Sequence, residues 1–324
     1  MAKAIRSLQS GLQIGNALLG RHGAGRGSVA QQVHDGDTII TELDGNVSVR
    51  FLGIDTPEVS FMLPNDNRFL GITNQAWADF LTDPFVNAPV EFTSSLGADL
   101  INHINDRLSP TVAANHAEHA RVAHRRLETL VGADMNELGL DRDTFRLFMA
   151  FAHEVMDGFG RLLCFINRDQ PSANIPTPRP DSYNERLLAD GVTSPYFIWP
   201  NINPFRAHGS VIDAVPTAGD ITNVVNDPSL AQARQFVQQA RTDGAGIFGT
   251  DAVTAQPLIL EPFELRFLAR QSTPSRWVIN LADLGTNTLL RPTNYHQIPN
   301  TEDRLFIPPQ FVPLFEEQGW QRQK

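Results

Sequence analysis

From residue 38 the chain reads Thr38-Ile39-Ile40-Thr41-Glu42-Leu43-Asp44-Gly45-Asn46-Val47-Ser48-Val49-Arg50-Phe51-Leu52-Gly53-Ile54-Asp55-Thr56-Pro57-Glu58. Residues 38–43 and 47–54 are rich in β-branched and aromatic types, and Asp44-Gly45 between them is a strong short-range hairpin signal. Pro57 stops the second strand, because it has no N–H to donate to a ladder. Folding about Asp44-Gly45 sets the start of the first strand beside the end of the second. Asp35 and Asp37, just upstream, then meet Asp55 and Glu58 at the open end. Residues 30–60 hold six carboxylates and one permanently basic side chain, Arg50. Four carboxylates in a small space either raise one another's pKa values or are relieved by a hard cation, and all-oxygen ligation favours calcium or magnesium over zinc or copper. A solvated acidic hairpin end is the alternative, and on these grounds both stay open.

Outward from this stretch the patterns are mixed. Residues 74–81 read as a helix closed by Pro84, and residues 90–93 as a short strand. Between about 97 and 156 the chain reads as two or three helices and carries no strand signal. Its apolar stripes are Leu100, Ile101, Ile104 and Leu108, then Val122, Leu127, Leu130 and Val131, then Phe145, Phe148, Met149 and Ala152. Strand character returns over 161–166, followed by a proline-rich loop and a short helix over 182–189 that Gly191 ends. Asp227-Pro228 opens an amphipathic helix over 228–241, with Gly244 at its end. Two further strands are expected over 264–269 and 276–281. The weak apolar stretch 8–19 reads as a loose amphipathic helix, followed by a glycine-rich linker over 23–27.

At 324 residues the chain suits one large domain or two ordinary ones. Apolar residues make up 41%, enough for a sizeable core. Apolar runs break well short of the roughly 20 residues that a membrane helix needs, so no membrane partner is expected; residues 8–19 are more interrupted than a secretory apolar region, which makes a cytoplasmic location the default and leaves export by another route open. The single cysteine, Cys164, excludes an internal disulfide and any multi-cysteine metal site. A net charge of −10 argues against a broad basic grip on nucleic acid. Of the 26 basic residues only Lys3 and Lys324 are lysines, so bidentate recognition of phosphate stays open.

Two spaced blocks, Val33-His34-Asp35-Gly36-Asp37-Thr38 and Val49-Arg50-Phe51-Leu52-Gly53-Ile54-Asp55-Thr56-Pro57-Glu58, resemble the signature of the staphylococcal nuclease (thermonuclease) family. Asp157-Gly158-Phe159-Gly160-Arg161-Leu162 resembles the family's second active-site arginine at the start of a strand. Asn184-Glu185-Arg186-Leu187-Leu188-Ala189-Asp190-Gly191 is similar to its NE…L…G helix, and residues 228–248 to its final helix. The likeness covers about 29–96 and 155–250. It implies an α+β fold: a five-stranded OB-type β-barrel with packed helices, split between 28–96 and 156–250. A helical insertion at 97–155 interrupts it, 1–27 form an N-terminal helix and linker, and 251–324 form a C-terminal extension with short strands.

The resemblance further implies calcium-dependent hydrolysis of DNA, with RNA left open, cleaving P–O5′ to leave 3′-phosphate ends. Asp37, Asp55 and the carbonyl of Thr56 would bind Ca²⁺, with Asp35 just outside the ligand sphere. Glu58 would position or deprotonate the attacking water, and Arg50 and Arg161 would clamp the phosphoryl oxygens. Phe159, Tyr196, Phe197 and Trp199 would contact substrate, the last three by stacking on bases; ordinary packing is the alternative for each ring. The family commonly has lysine and tyrosine where this chain has Gly158 and Phe159, so one phosphate contact and one hydroxyl donor are missing. His116 and His119, spaced like metal ligands but lacking a third, read as part of a solvated helix face. The insertion is expected to form a wall beside the site or a homodimer contact. A non-catalytic OB-type binding module for nucleic acid or protein is the rival reading.

Overall fold

The computed structural model describes residues 3–8, 13–26, 28–33, 38–170, 172, 177–204, 210–249 and 256–324. The chain is mixed α+β, with several small sheets, and among the described residues none closes on itself. Near the N terminus β1 (Ala17–Leu19) pairs antiparallel with β2 (Thr41–Leu43). Next come β3 (Val49–Phe51) and β4 (Gly53–Asp55), separated by Leu52. Gly53 sits at φ 75°, where a residue with a Cβ would be strained, so the strand bends there and serves two sheets. In the first sheet β5 (Leu147–Ala150) lies antiparallel to β6 (Leu162–Arg168), and β6 runs parallel to β3. In the second, β4 is antiparallel to β7 (Ser194–Ile198). Beyond β7 come β8 (Trp277–Asn280) and β9 (Arg304–Ile307), with β9 between β7 and β8.

The hairpin expected about Asp44-Gly45 does not form. β2 is largely exposed and joins β1, whereas Val49 and Phe51 pack against the core beside β6. An apolar strand gains more by lying next to another buried strand than by closing a local turn with a polar one.

Helices α1 (Gln75–Thr82), α2 (Val90–Leu96), α3 (Ala98–Asn105) and the long α4 (Val112–Leu138) follow β4. Asn74 caps α1 through its side chain, which accepts the Ala76 N–H at 3.0 Å. Residues 90–93 are therefore helix rather than strand: Phe92 and Leu96, one turn apart, are both buried. The third stripe is strand rather than helix, since β5 covers Phe148 and Met149. Residues 13–15 and 17–19 are short strands, not an amphipathic helix, in a stretch that Gly15 and Gly20 make a poor helix former.

Ser182 opens α5 (Tyr183–Ala189) with a capping box, and Asp227 caps α6 (Pro228–Thr242). The strand expected over 264–269 is α7 (Pro262–Arg270), with proline in its first turn and Glu261 and Glu264 closing a capping box. Phe263, Leu265, Phe267, Leu268 and Ala269 are all buried, so α7 is apolar around most of its circumference and its sequence lacks a one-sided stripe.

Two apolar clusters result. One joins Cys164 and Ile166 of β6 to Leu187 of α5, Val237 of α6, Leu305 of β9 and part of α4. The other joins Trp77, Phe92, Leu100 and Ile104 to Leu265 and Leu268 of α7 and Phe306 of β9. Insertion and C-terminal residues thus pack together in both clusters. Burial pushes the Cys164 thiol up to about 11, which leaves it inert. No described helix is long and apolar enough to cross a membrane.

Candidate active site

β3 carries Arg50, β4 carries Asp55, and the chain turns through Thr56, Pro57 and Glu58. Arg161 immediately precedes β6, whose Leu162 registers with Val49 of the parallel neighbour, so Arg50 and Arg161 sit on adjacent strands. Asn184 of α5 fixes that pairing. Its side-chain amide donates to the carbonyls of Leu52 at 2.8 Å and Cys164 at 3.3 Å, and its oxygen accepts the Ile166 N–H at 3.0 Å. Arg50 Nη2 donates to Asp55 Oδ1 at 3.0 Å. Arg161 Nε donates to Asp157 Oδ2 at 2.7 Å, while Asp157 Oδ1 accepts the Phe159 N–H at 2.9 Å, closing the turn ahead of β6. Arg50, Asp55, Thr56, Glu58 and Arg161 all line one cavity of about 750 Å³, which α4 also lines with Ala123, Leu127 and Val131 beside His124 and Glu128.

Sequence reasoning missed Arg266. It projects from α7 and donates to Asp55 through Nη1 to Oδ1 at 2.9 Å and Nη2 to Oδ2 at 2.6 Å, and through Nη1 to Glu58 Oε1 at 2.7 Å. Burial opposes its charge, but the Asp55 and Glu58 carboxylates outweigh that and push the guanidinium's pKa further up. Arg50 is therefore not the lone fixed cation of the site. Asp35 and Asp37 lie outside the described residues, and among those described no three His, Cys, Asp or Glu side chains group to hold a metal. Both Asp55 oxygens accept guanidinium hydrogens, so the described donors as arranged do not fit a calcium ion. The misreading of 264–269 as strand hid Arg266: at a strand's rise of about 3.3 Å per residue it would stand about 13 Å from Arg270, while helical spacing sets the two one turn apart.

The aromatic residues divide. Phe159 is exposed and holds the Arg161 guanidinium 5.3 Å from its ring centre. Tyr196 stacks on Phe263 at 5.6 Å and its hydroxyl accepts Arg276 Nη1 at 2.8 Å. Phe197 and Trp199 are core residues, and Trp199, only 1% exposed, stands edge-on to Phe311 and Phe315. A ring so covered has no face left for a base, and packing is the role of these two.

The histidines also differ from expectation. His116 and His119 are buried on the inner side of α4 rather than solvated. His116 Nε2 accepts the Glu58 N–H at 2.8 Å, which ties the turn carrying Glu58 to α4. Burial lowers its pKa to about 3 from 6.5. The unfolded chain then binds the extra proton between those values, so stability is full above pH 6.5 and falls as pH drops toward 3, by about 1 kcal/mol per unit. Denaturant unfolding at pH 7 and pH 4.5 should show this loss, and His116→Gln should flatten it; an unchanged slope in the variant would show that the proton goes elsewhere.

In comparison with known proteins, no family model, no curated protein and no solved structure matches the chain.

Proposed function

We propose that the chain is a phosphodiesterase of the staphylococcal nuclease type, hydrolysing DNA with little sequence preference on an OB-type β fold. One observation carries the reading: two guanidiniums, Arg50 and Arg161, and one solvent-reaching carboxylate, Glu58, line the same cavity from adjacent strands and the turn beside them. Glu58 takes a proton from a water, which attacks phosphorus in line as the P–O5′ bond breaks, leaving a 3′-phosphate and a 5′-hydroxyl. Arg50 and Arg161 hold the non-bridging oxygens with paired N–H donors and stay charged while the negative charge develops. His116 fixes the backbone at Glu58, and the Thr56-Pro57 turn keeps Glu58 on the cavity side of β4. Calcium is the ion that the family resemblance implies. With Arg266 on Asp55, these steps run on the chain's own side chains.

The Arg266 contacts also favour a second reading, a binding module whose carboxylates serve as structural ion-pair partners. Digestion of single- and double-stranded DNA with calcium, with and without EDTA, separates the two. The hydrolase reading expects cleavage to 3′-phosphate ends and a loss of about 10²–10⁴-fold in Glu58→Gln. Binding of DNA without cleavage, or equal cleavage by wild type and Glu58→Gln, would overturn it.

A further inference from the structure

On the other side of the Arg50–Arg161 line lies a second cavity, of about 780 Å³. Six cationic side chains and three carboxylates line it, a positive surplus in a chain whose net charge is −10. The three carboxylates are engaged: Glu58 with Arg266, Asp157 with Arg161, and Glu154 with the Asn201 amide at 2.6 Å. Two of the arginines have no such partner. Among the described residues, neither Arg270 nor Arg276 forms an ion pair with a carboxylate. Arg270 ends α7, and Gln271, left-handed at φ 47°, turns the chain back so that Arg276 reaches the same cavity.

Both guanidiniums are held in place without being neutralised. That of Arg270 lies 5.1 Å from the Phe61 ring centre and that of Arg276 lies 5.4 Å from the Tyr196 ring centre. Arg276 also spends Nη1 on the Tyr196 hydroxyl, while its Nε is buried with no hydrogen-bond partner. Partial burial first, and then the neighbouring Arg266, disfavour the charge on Arg270. Oriented, unpaired donors with a surplus of positive charge are what a phosphate oxygen satisfies.

We infer that Arg270 and Arg276 form a second phosphate subsite, which takes a backbone phosphate of the same nucleic-acid strand that lies at Arg50 and Arg161. The inference rests on the nucleic-acid reading above, but it concerns binding and is tested without cleavage. The rings of Phe61 and Tyr196 lie beside the two guanidiniums, and both arginines line the cavity. The phosphate is gripped by geometry rather than by a field spread over the surface, as suits an acidic protein.

The test is fluorescence anisotropy of a fluorescein-labelled twelve-residue oligothymidylate in EDTA, over a range of salt, with a methylphosphonate oligomer of the same length as the uncharged control. Losing two phosphate contacts should lower the slope of log affinity against log salt by about 1.4 in Arg270→Gln/Arg276→Gln and weaken binding at low salt at least tenfold. Arg270→Gln alone, a change at an exposed helix end that leaves the core intact, should lower the slope by about 0.7. Unchanged slopes and affinities, or a methylphosphonate oligomer bound as tightly as the phosphodiester, overturn the subsite. Cleavage is measured separately: a protein that cuts DNA through Glu58 with an unchanged salt slope loses the subsite and keeps the hydrolase. One that shows the slope change and never cuts loses the hydrolase and keeps the subsite.

Discussion

Arg50→Ala is expected to cleave DNA roughly 10³-fold more slowly than wild type, with most of the loss in kcat. The reason lies in how Asp55 is shared. Arg50 gives it one hydrogen bond of 3.0 Å, whereas Arg266 gives it two, so removing Arg50 leaves the buried carboxylate still paired. The cost to folding is then below about 1 kcal/mol, as for a partly exposed ion pair. What disappears is a donor aimed at charge that develops only as the water attacks. Arg50→Lys should recover little, because an ammonium cannot present two parallel N–H groups to two oxygens. Single-turnover cleavage measured beside a thermal melt checks both halves: a small rate loss, or a melt lowered as much as the rate, would remove Arg50 from the reacting centre.

The largest effect on stability is expected at Arg107, far from the chemistry. Glu264 of α7 is completely buried and accepts Arg107 Nη1 at 2.9 Å and Nη2 at 2.7 Å, together with the Tyr295 hydroxyl at 2.6 Å. Burial works against its ionisation, yet Arg107 together with hydrogen bonds from His103 and Tyr295 outweighs burial and holds the carboxyl well below the usual range. Arg107→Leu strands that carboxylate in the core, and the cost should be about 3–5 kcal/mol, lowering Tm by roughly 10 °C. Adding Glu264→Leu should return much of the loss, because two apolar residues need no charge partner. A single variant that melts within a degree of wild type would show that the pair is not a stabilising contact. Activity should fall along with stability, since α7 also carries Arg266 two residues on.

Much of the site was legible where the signals are local. The strand and turn from Val49 to Glu58, the strand opened by Arg161, and the helices capped by Ser182 and Asp227 follow from β-branched residues, proline and side-chain caps acting within a few residues. The choice of partner strand is not local. Asp44-Gly45 has the chemistry of a hairpin turn, but β3 lies against β6, far along the chain, because burying Val49 and Phe51 there outweighs a two-residue turn. Arg266 and His116 were hidden for a related reason. Arg266 looks ordinary in sequence and His116 reads as part of a solvated face, and each acquires its role from what its helix packs against: α7 reads as a strand because apolar residues surround it, and α4 buries a face that its histidines and arginines make look wet.

The strand order carries a consequence for how the protein is made. β9 lies between β8 and β7, and β7 lies between β9 and β4, so an inner strand of the second sheet is synthesised long after the strand it pairs with. Until residue 307 has emerged, β7 lacks one of its neighbours and the second apolar cluster lacks the Phe306 ring. Such long sequence separations slow folding, because loop closure must come before the contacts that reward it. The nascent chain therefore carries Asp55 and Glu58 before Arg266, the guanidinium they share, has been synthesised, and the site is assembled only once α7 has emerged.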